Sequence, residues 1–353
     1  MIRLIASIVM LLLLIAFGVP ISAAQGTTPP SGEIAFASNR SGTYQIYLMN
    51  ADGSNVRQLT HEKVGAIEPI WSPDGQKLLY AKGGSLISDL VVINADGSHP
   101  LQLAANVLTV YQYVWSPDSQ SIIYPVVVPS GEFSELLFHH VKPDGTHDQL
   151  LKLPRDIGFI NVFFFPDGKH LLAETPNNVY TADLDGSHTQ ILNNQISFPT
   201  QISPDGKHIV GAQVSTIFGM DSSGKNVQQL FSGLTSTNRA DLQVIEVTWL
   251  DWSPNGYYIW GAFQTNSSES ASTPEAQSAT FPVFIGTANG DDYWLRNLSD
   301  WHISWSPDSQ WIAYTIQNAD GHYQIAISQP IGTDQMTLTS GSDNSQPAWR
   351  PIP

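Results

Sequence analysis

The chain has no cysteine and few basic residues. Without cysteine there is no disulfide, no thiol nucleophile, no thiolate metal site and no lipidated N-terminal cysteine. An exported chain so composed must be held together by packing alone. Lys and Arg total 15 against 31 Asp and Glu, for a formal charge of -16. No basic stripe is left to neutralise phosphates, which excludes nucleic acid and anionic membrane surfaces as partners. Long apolar runs are also scarce. Only Leu4 to Val19 qualifies, preceded by Arg3 and followed by Pro20 and Ile21-Ser22-Ala23-Ala24. That pattern predicts a signal peptide over residues 1–24, cleaved after Ala24. The run is nearly long enough to span a bilayer, so an uncleaved anchor is the alternative, and no other membrane contact is expected. Both readings put the protein outside the cytoplasm, as a periplasmic, cell-surface or secreted monomer.

What the chain does have is a recurring unit. Trp71-Ser72-Pro73-Asp74-Gly75 returns at Trp115, Trp252 and Trp305, and in worn form at Phe164, Ile202 and Trp349. The prolines stand at 73, 117, 166, 204, 254, 307 and 351, a period of 38 to 53 residues. Such a period marks one supersecondary unit stacked repeatedly. After each turn comes a short apolar strand, such as Leu78-Leu79-Tyr80-Ala81. A second strand follows, ending in a hairpin signal such as Ala51-Asp52-Gly53 or Ala95-Asp96-Gly97. A third strand comes next, and a fourth leads into the next tryptophan. Helix-period stretches are absent. The chain therefore reads as all-β, a seven-bladed β-propeller of four-stranded blades over residues 34–353. It enters on a second strand at Ile34 and finishes on a first strand at Gln346 to Trp349, so one blade must join both termini and close the ring. Residues 25–33 are a polar lead-in, and residues 264–279, rich in Ser, Thr, Asn and Glu, read as a disordered insertion.

Ser-Pro-Asp-Gly suits a type I turn, with proline, aspartate and glycine each in a favoured place. These aspartates read as turn formers, and the tryptophan before them as a wedge between blades. The unit, the strand after it and the Asp-Gly hairpin resemble the TolB-type, WD40-like PD40 propeller repeat, from Ile34 to Pro351. The resemblance implies an extracytoplasmic propeller used chiefly for protein–protein interaction. Seven repeats with no α/β domain ahead of them depart from TolB, which carries that domain before six blades. A place in the Tol–Pal system is therefore not expected.

Enzymatic readings are limited by missing motifs. The hydrolase that accompanies such propellers in prolyl-oligopeptidase-like peptidases needs a G-x-S-x-G elbow, and Gly83-Gly84-Ser85 lacks the closing glycine. Oligogalacturonate-type polysaccharide lyases hold a divalent metal at the propeller mouth with several histidines. The matching ring here, three residues before each tryptophan position, reads Glu68, Gln112, Asn161, Pro199, Trp249, His302 and Gln346. His302 with Glu68 could ligate a hard cation through water, but a hydrated polar ring needs no ion. No metal, cofactor or catalytic residue is expected. His99, His147 and His188 recur at one hairpin position and read as solvated residues. His139 and His140 should point to opposite faces of one strand. The favoured function is a non-enzymatic propeller binding a protein, peptide or glycan at a rim or channel mouth. Its site is expected at Glu68, Gln112, Asn161, Trp249, His302 and Gln346, with Tyr111, Tyr113 and Trp301 beside it. A metal-assisted polysaccharide lyase or hydrolase is the alternative.

Overall fold

The computed structural model describes residues 30–352 apart from 84–86, 110–111, 131–132, 233–234, 237–238, 266–280 and 299–301. The leader, most of the expected insertion, Tyr111 and Trp301 lie outside the described residues. Within them the chain is all-β, with no helix. Four sheets have four antiparallel strands each, and a fifth adds the short strand Thr235–Ser236 to four others. The sixth has eight strands and consists of two four-stranded units, 66–108 and 114–150, joined by one bridge between Val107 and Val126. The strand Asn344–Trp349 pairs antiparallel with Glu33–Ser38, setting Trp349 opposite Ile34 and Asn344 opposite Ser38.

The recurrent turn is built as its residue types require. Gly75 N donates to Ser72 O (2.8 Å), with Gly75 at φ +65° where a side chain would be strained. Ser72 Oγ donates to Asp74 Oδ1 (2.6 Å), and Lys77 N donates back to Ser72 Oγ (2.9 Å). The same hydroxyl-to-side-chain bond recurs from Ser116 to Asp118, Ser203 to Asp205, Ser253 to Asn255 and Ser306 to Asp308. These bonds hold Asp118 below the usual carboxylate range and Asp205 down to about 2. The carboxylates are committed to the turns. Where serine replaces the glycine, at Ser119 and Ser309, φ stays positive. Each of these hydroxyls then accepts a backbone N–H of a neighbouring turn, Asp74 or Asn255 (3.1 Å each).

The tryptophans sit between units. Trp71 Nε1 donates to Ala348 O (3.1 Å), Trp115 Nε1 to Ile70 O (3.3 Å) and Trp252 Nε1 to Gln201 O (3.3 Å). Each acceptor immediately precedes the matching aromatic or isoleucine position of the neighbouring unit. Among the described residues, buried apolar side chains form seven clusters, each shared by two units. One of them joins Ala313, Ile325 and Ile327, from the last unit, to Ile34, Phe36 and Trp349.

Close approach between units explains the hairpin glycines. A Cβ on Gly224, at φ +78°, would stand 2.3 Å from Leu192 O, a backbone atom that cannot swing aside. Gly224→Ala is expected to cost roughly 2–4 kcal/mol in strain and displacement. A thermal midpoint unchanged by this substitution would contradict the close approach.

Candidate functional site

The residues three positions before each tryptophan are aimed by irregularities in their strands. In Ala66–Trp71 the register slips between Ile67 and Ile70, and in Asn344–Trp349 it slips across Gln346 and Pro347. Proline has no N–H to give a ladder, so Pro69 and Pro347 suit such bulges. Glu68 (φ 56°) and Gln346 (φ 54°) adopt the left-handed conformation there. Non-glycine residues hold that conformation at a cost of about 1 kcal/mol, and such strain gathers at binding sites. Gln346 Oε1 accepts the Glu68 N–H (3.0 Å), and the Tyr113 hydroxyl donates to Glu68 O (3.1 Å). Burial and the neighbouring Glu68 push the Tyr113 phenol up, so it remains a donor.

Glu68, Gln112, Trp249, His302 and Gln346 line one cavity of about 420 Å³, together with Tyr113, Asp251 and the wedge residues Trp71, Trp115 and Trp349. Among the described residues no lysine or arginine lines it. Two members of the expected ring lie elsewhere. Pro199 is not in the lining, and Asn161 is buried with Nδ2 donating to Glu174 Oε1 (2.8 Å). Glu174 Oε2 also accepts the Thr200 N–H (2.8 Å) and hydroxyl (2.6 Å). Burial outweighs these bonds and pushes the Glu174 carboxyl up to about 7. Asn161 thus serves a buried carboxyl between two units rather than the cavity.

Asp251 is the cavity residue that inspection of the ring position misses. Its Oδ1 accepts the Trp252 N–H (2.7 Å), and desolvation by the surrounding strands pushes the carboxyl up to about 6. It belongs to the lining of the cavity. The signal lay two positions nearer, immediately before the tryptophan. Ile70, Val114, Phe163, Gln201, Ser304 and Ala348 occupy that place in the other units, so a carboxylate there is the odd one out.

The remaining candidates have structural work. His99 (φ 55°), His147 (φ 59°) and His188 (φ 52°) share the left-handed hairpin position with Asn55 and Asn226. Their type answers a backbone need that Asn and His tolerate. His139 pairs with Asp148 (2.9 Å) and stacks on Tyr124, while His140 packs against Phe164. A larger groove of about 840 Å³ runs between the Ser203–Asp205 and Pro254–Gly256 turns. Its Asp205 and Asp221 are both held at about 2 by hydrogen bonds from their own turns, so the smaller cavity is the better candidate. Among the described residues no three His, Asp or Glu side chains gather as a metal-ligating group.

No family model matches the chain. TolB of Geobacter sulfurreducens is 46% identical over 50 residues, 14% of this chain and 12% of that protein. An uncharacterized peptidase, YuxL, of Bacillus subtilis is 40% identical over 53 residues, 15% of this chain and 8% of that one. The matches therefore span only a small part of these relatives. Among solved structures, TolB from Acinetobacter baumannii superposes with TM-score 0.56 at 16% identity, covering 92% of this chain and 68% of that one. An oligogalacturonate lyase in complex with manganese gives TM-score 0.61 at 15% identity, covering 84% and 86%. At such identities these structures speak for the fold alone. The local identity to TolB covers one short stretch, and the structural likeness shows an all-β fold of the TolB-like propeller kind.

Proposed function

We propose that the chain is an exported, non-enzymatic, monomeric seven-bladed propeller, closed by Asn344–Trp349, that binds a protein, peptide or glycan at its channel mouth. One observation carries the reading. Five residues that break the repeat, Glu68, Gln112, Trp249, His302 and Gln346, meet in one cavity walled by tryptophans. Two of them are held there in the left-handed conformation. Aromatic walls with a few directional polar groups suit a side chain or a sugar ring, and carboxylates without a lysine or arginine favour a neutral or basic ligand. The seven inter-unit clusters and the Trp71–Ala348 bond support the count and the closure.

Screening against peptide and glycan arrays should return a ligand that the triple variant Glu68→Gln, Trp249→Phe, His302→Asn binds at least tenfold more weakly. Equal binding by a correctly folded triple variant would sink the assignment. The alternative, a metal-assisted lyase or hydrolase on an acidic polysaccharide, has likeness of fold in its favour. Glu68 and Asp251 would repel an anionic sugar chain. Stoichiometric Mn²⁺ binding, with cleavage of polygalacturonate that depends on it, would select that reading instead.

A further inference from the structure

The third unit has an open strand edge that other units close. Its strand Phe133–Val141 pairs along its inner side with Ile122–Ser130, but its outer partner, Gln149–Leu150, reaches only His139 and His140. One more bond, from Leu151 N to Phe138 O (2.9 Å), extends the contact by a residue. Among the described residues no strand pairs with the outer edge over residues 133–137. Because the Phe138 carbonyl faces outward, strand alternation turns the backbone groups of Leu136 and Ser134 outward as well.

Two other units finish this place with a cap. In the first, Thr60 Oγ1 accepts the Ile46 N–H (2.8 Å) and donates to Gln45 Oε1 (2.9 Å). In the last, Thr339 does the same between Ile325 and Gln324 (2.9 and 2.8 Å). The bonds from Leu59 to Ile46, Leu338 to Ile325 and Leu151 to Phe138 fix the correspondence. By that correspondence the third unit carries Leu137 where the others have glutamine, and Lys152 where they have threonine. Lys152 is turned to Asp185 (2.7 Å). Here the cap is gone and an aliphatic side chain replaces half of it.

Beside the uncapped edge lies a groove of about 680 Å³. One wall is the run Glu135 to Phe138, and the other includes Leu150, Leu153 and Phe159. Side chains of successive strand residues point to opposite faces, so four in a row line one groove only where the strand presents its edge. At the rim Glu135 faces Arg155 (3.6 Å), leaving no net charge between them.

We propose that this edge and groove bind an extended peptide, which adds a strand to the third unit and sets alternate apolar side chains into the groove. A row of outward N–H and C=O groups at strand spacing is matched by another strand, and not by a sugar or a lipid. With Glu135 and Arg155 cancelling each other, Asp156 leaves the rim one negative charge, which selects a peptide without carboxylate side chains. The site lies apart from the mouth cavity and shares none of its residues.

The probe is a fluorescein-labelled peptide of alternating valine and threonine with serine ends. It is compared with the same peptide N-methylated at alternate residues, on whichever edge is tested. Saturable anisotropy is expected with the unmodified peptide, and at least tenfold weaker binding when the methylated edge must pair. Ser134→Pro removes an outward N–H and leaves the inner ladder intact, so it should weaken binding at least tenfold. The double variant Leu137→Gln, Lys152→Thr rebuilds the cap and should do the same. Hydrogen exchange at the Leu136 amide should slow when peptide is bound. Equal binding of all methylated forms would mean apolar adhesion alone, and no saturable binding at millimolar peptide would mean no site. Either overturns the proposal, as would wild-type affinity in both folded variants. Self-association that Ser134→Pro abolishes would give the edge to a second copy of the chain and overturn it equally.

Discussion

Removing Gln346 to Pro353 is expected to destroy the cooperative thermal transition or lower its midpoint by more than 10 °C, an effect of roughly 5 kcal/mol or more. The segment supplies most of the strand that pairs with Glu33–Ser38. It also carries Trp349, which is 4% exposed and donates through Nε1 to Ser31 O (3.1 Å). A buried tryptophan cut back to alanine costs about 3–5 kcal/mol by itself. Arg350 adds an ion pair to Glu33, a bond to Gly75 O (2.8 Å) and a position 5.1 Å over the Trp71 ring. Loss of the segment also exposes the edge of Glu33–Ser38, so aggregation should accompany unfolding. Calorimetry with size-exclusion chromatography reads both effects. A truncated chain that melts like the full one would disprove the closure.

The second large effect is on pH dependence. Glu174 has its carboxyl pushed from the ordinary 4.5 up to about 7 inside a buried pocket. Below about pH 4.5 it is protonated in both folded and unfolded chains and contributes no difference. As pH rises from there to about 7, the unfolded chain loses this proton while the folded chain keeps it, and stability falls. Above pH 7 the full cost remains, about 3 kcal/mol. Asp251, raised to about 6, acts in the same direction between the ordinary 3.8 and that value. Asp205 and Asp221, both lowered to about 2, act oppositely: they stabilise above pH 3.8, and that benefit is lost as pH falls through 2. Stability should therefore peak in mild acid. Glu174→Gln isolates the largest contribution. The substitution puts an amide beside Asn161, whose buried Oδ1 has no partner and can accept from it once the Asn161 amide turns over. Unfolding free energies from urea titrations at pH 4.5 and 8 should differ by about 3 kcal/mol more in the parent than in Glu174→Gln. Parallel pH profiles would show that Glu174 is already ionised in the folded chain.

Much of this architecture was legible in the sequence because it is said several times over. The turn at Ser72-Pro73-Asp74-Gly75, the hairpin at Asp52-Gly53 and the wedge at Trp71 use residue types whose geometry leaves little choice. The shared cavity was legible only in part. Counting back three residues finds Glu68 and Gln346, because the Pro69 and Pro347 bulges recur in phase with the repeat. The same count fails at Asn161, where Glu174, on the adjacent strand of the same sheet, captures the amide. Pairing across a sheet is set by register, and no spacing along one strand encodes it. Asp251 was missed for a related reason, since its raised carboxyl reflects neighbours remote in the chain. The open edge at Leu137 was hidden too. Leucine in a strand is unremarkable until glutamine is seen at the matching place in two other units.

The pairing of Glu33–Ser38 with Asn344–Trp349 also sets a timetable. The partners that meet there stand 318 residues apart at their widest, from Ser31 to Trp349. At translation rates of roughly 5–20 residues per second, the first strand waits about 15–60 seconds for its neighbour to be made. Throughout that interval its apolar face, Ile34 and Phe36, has nothing to cover it from the C-terminal side. Until then each partial chain keeps one edge of Glu33–Ser38 unpaired. This pairing therefore cannot form until all the intervening units have been made, and its contribution to stability arrives late.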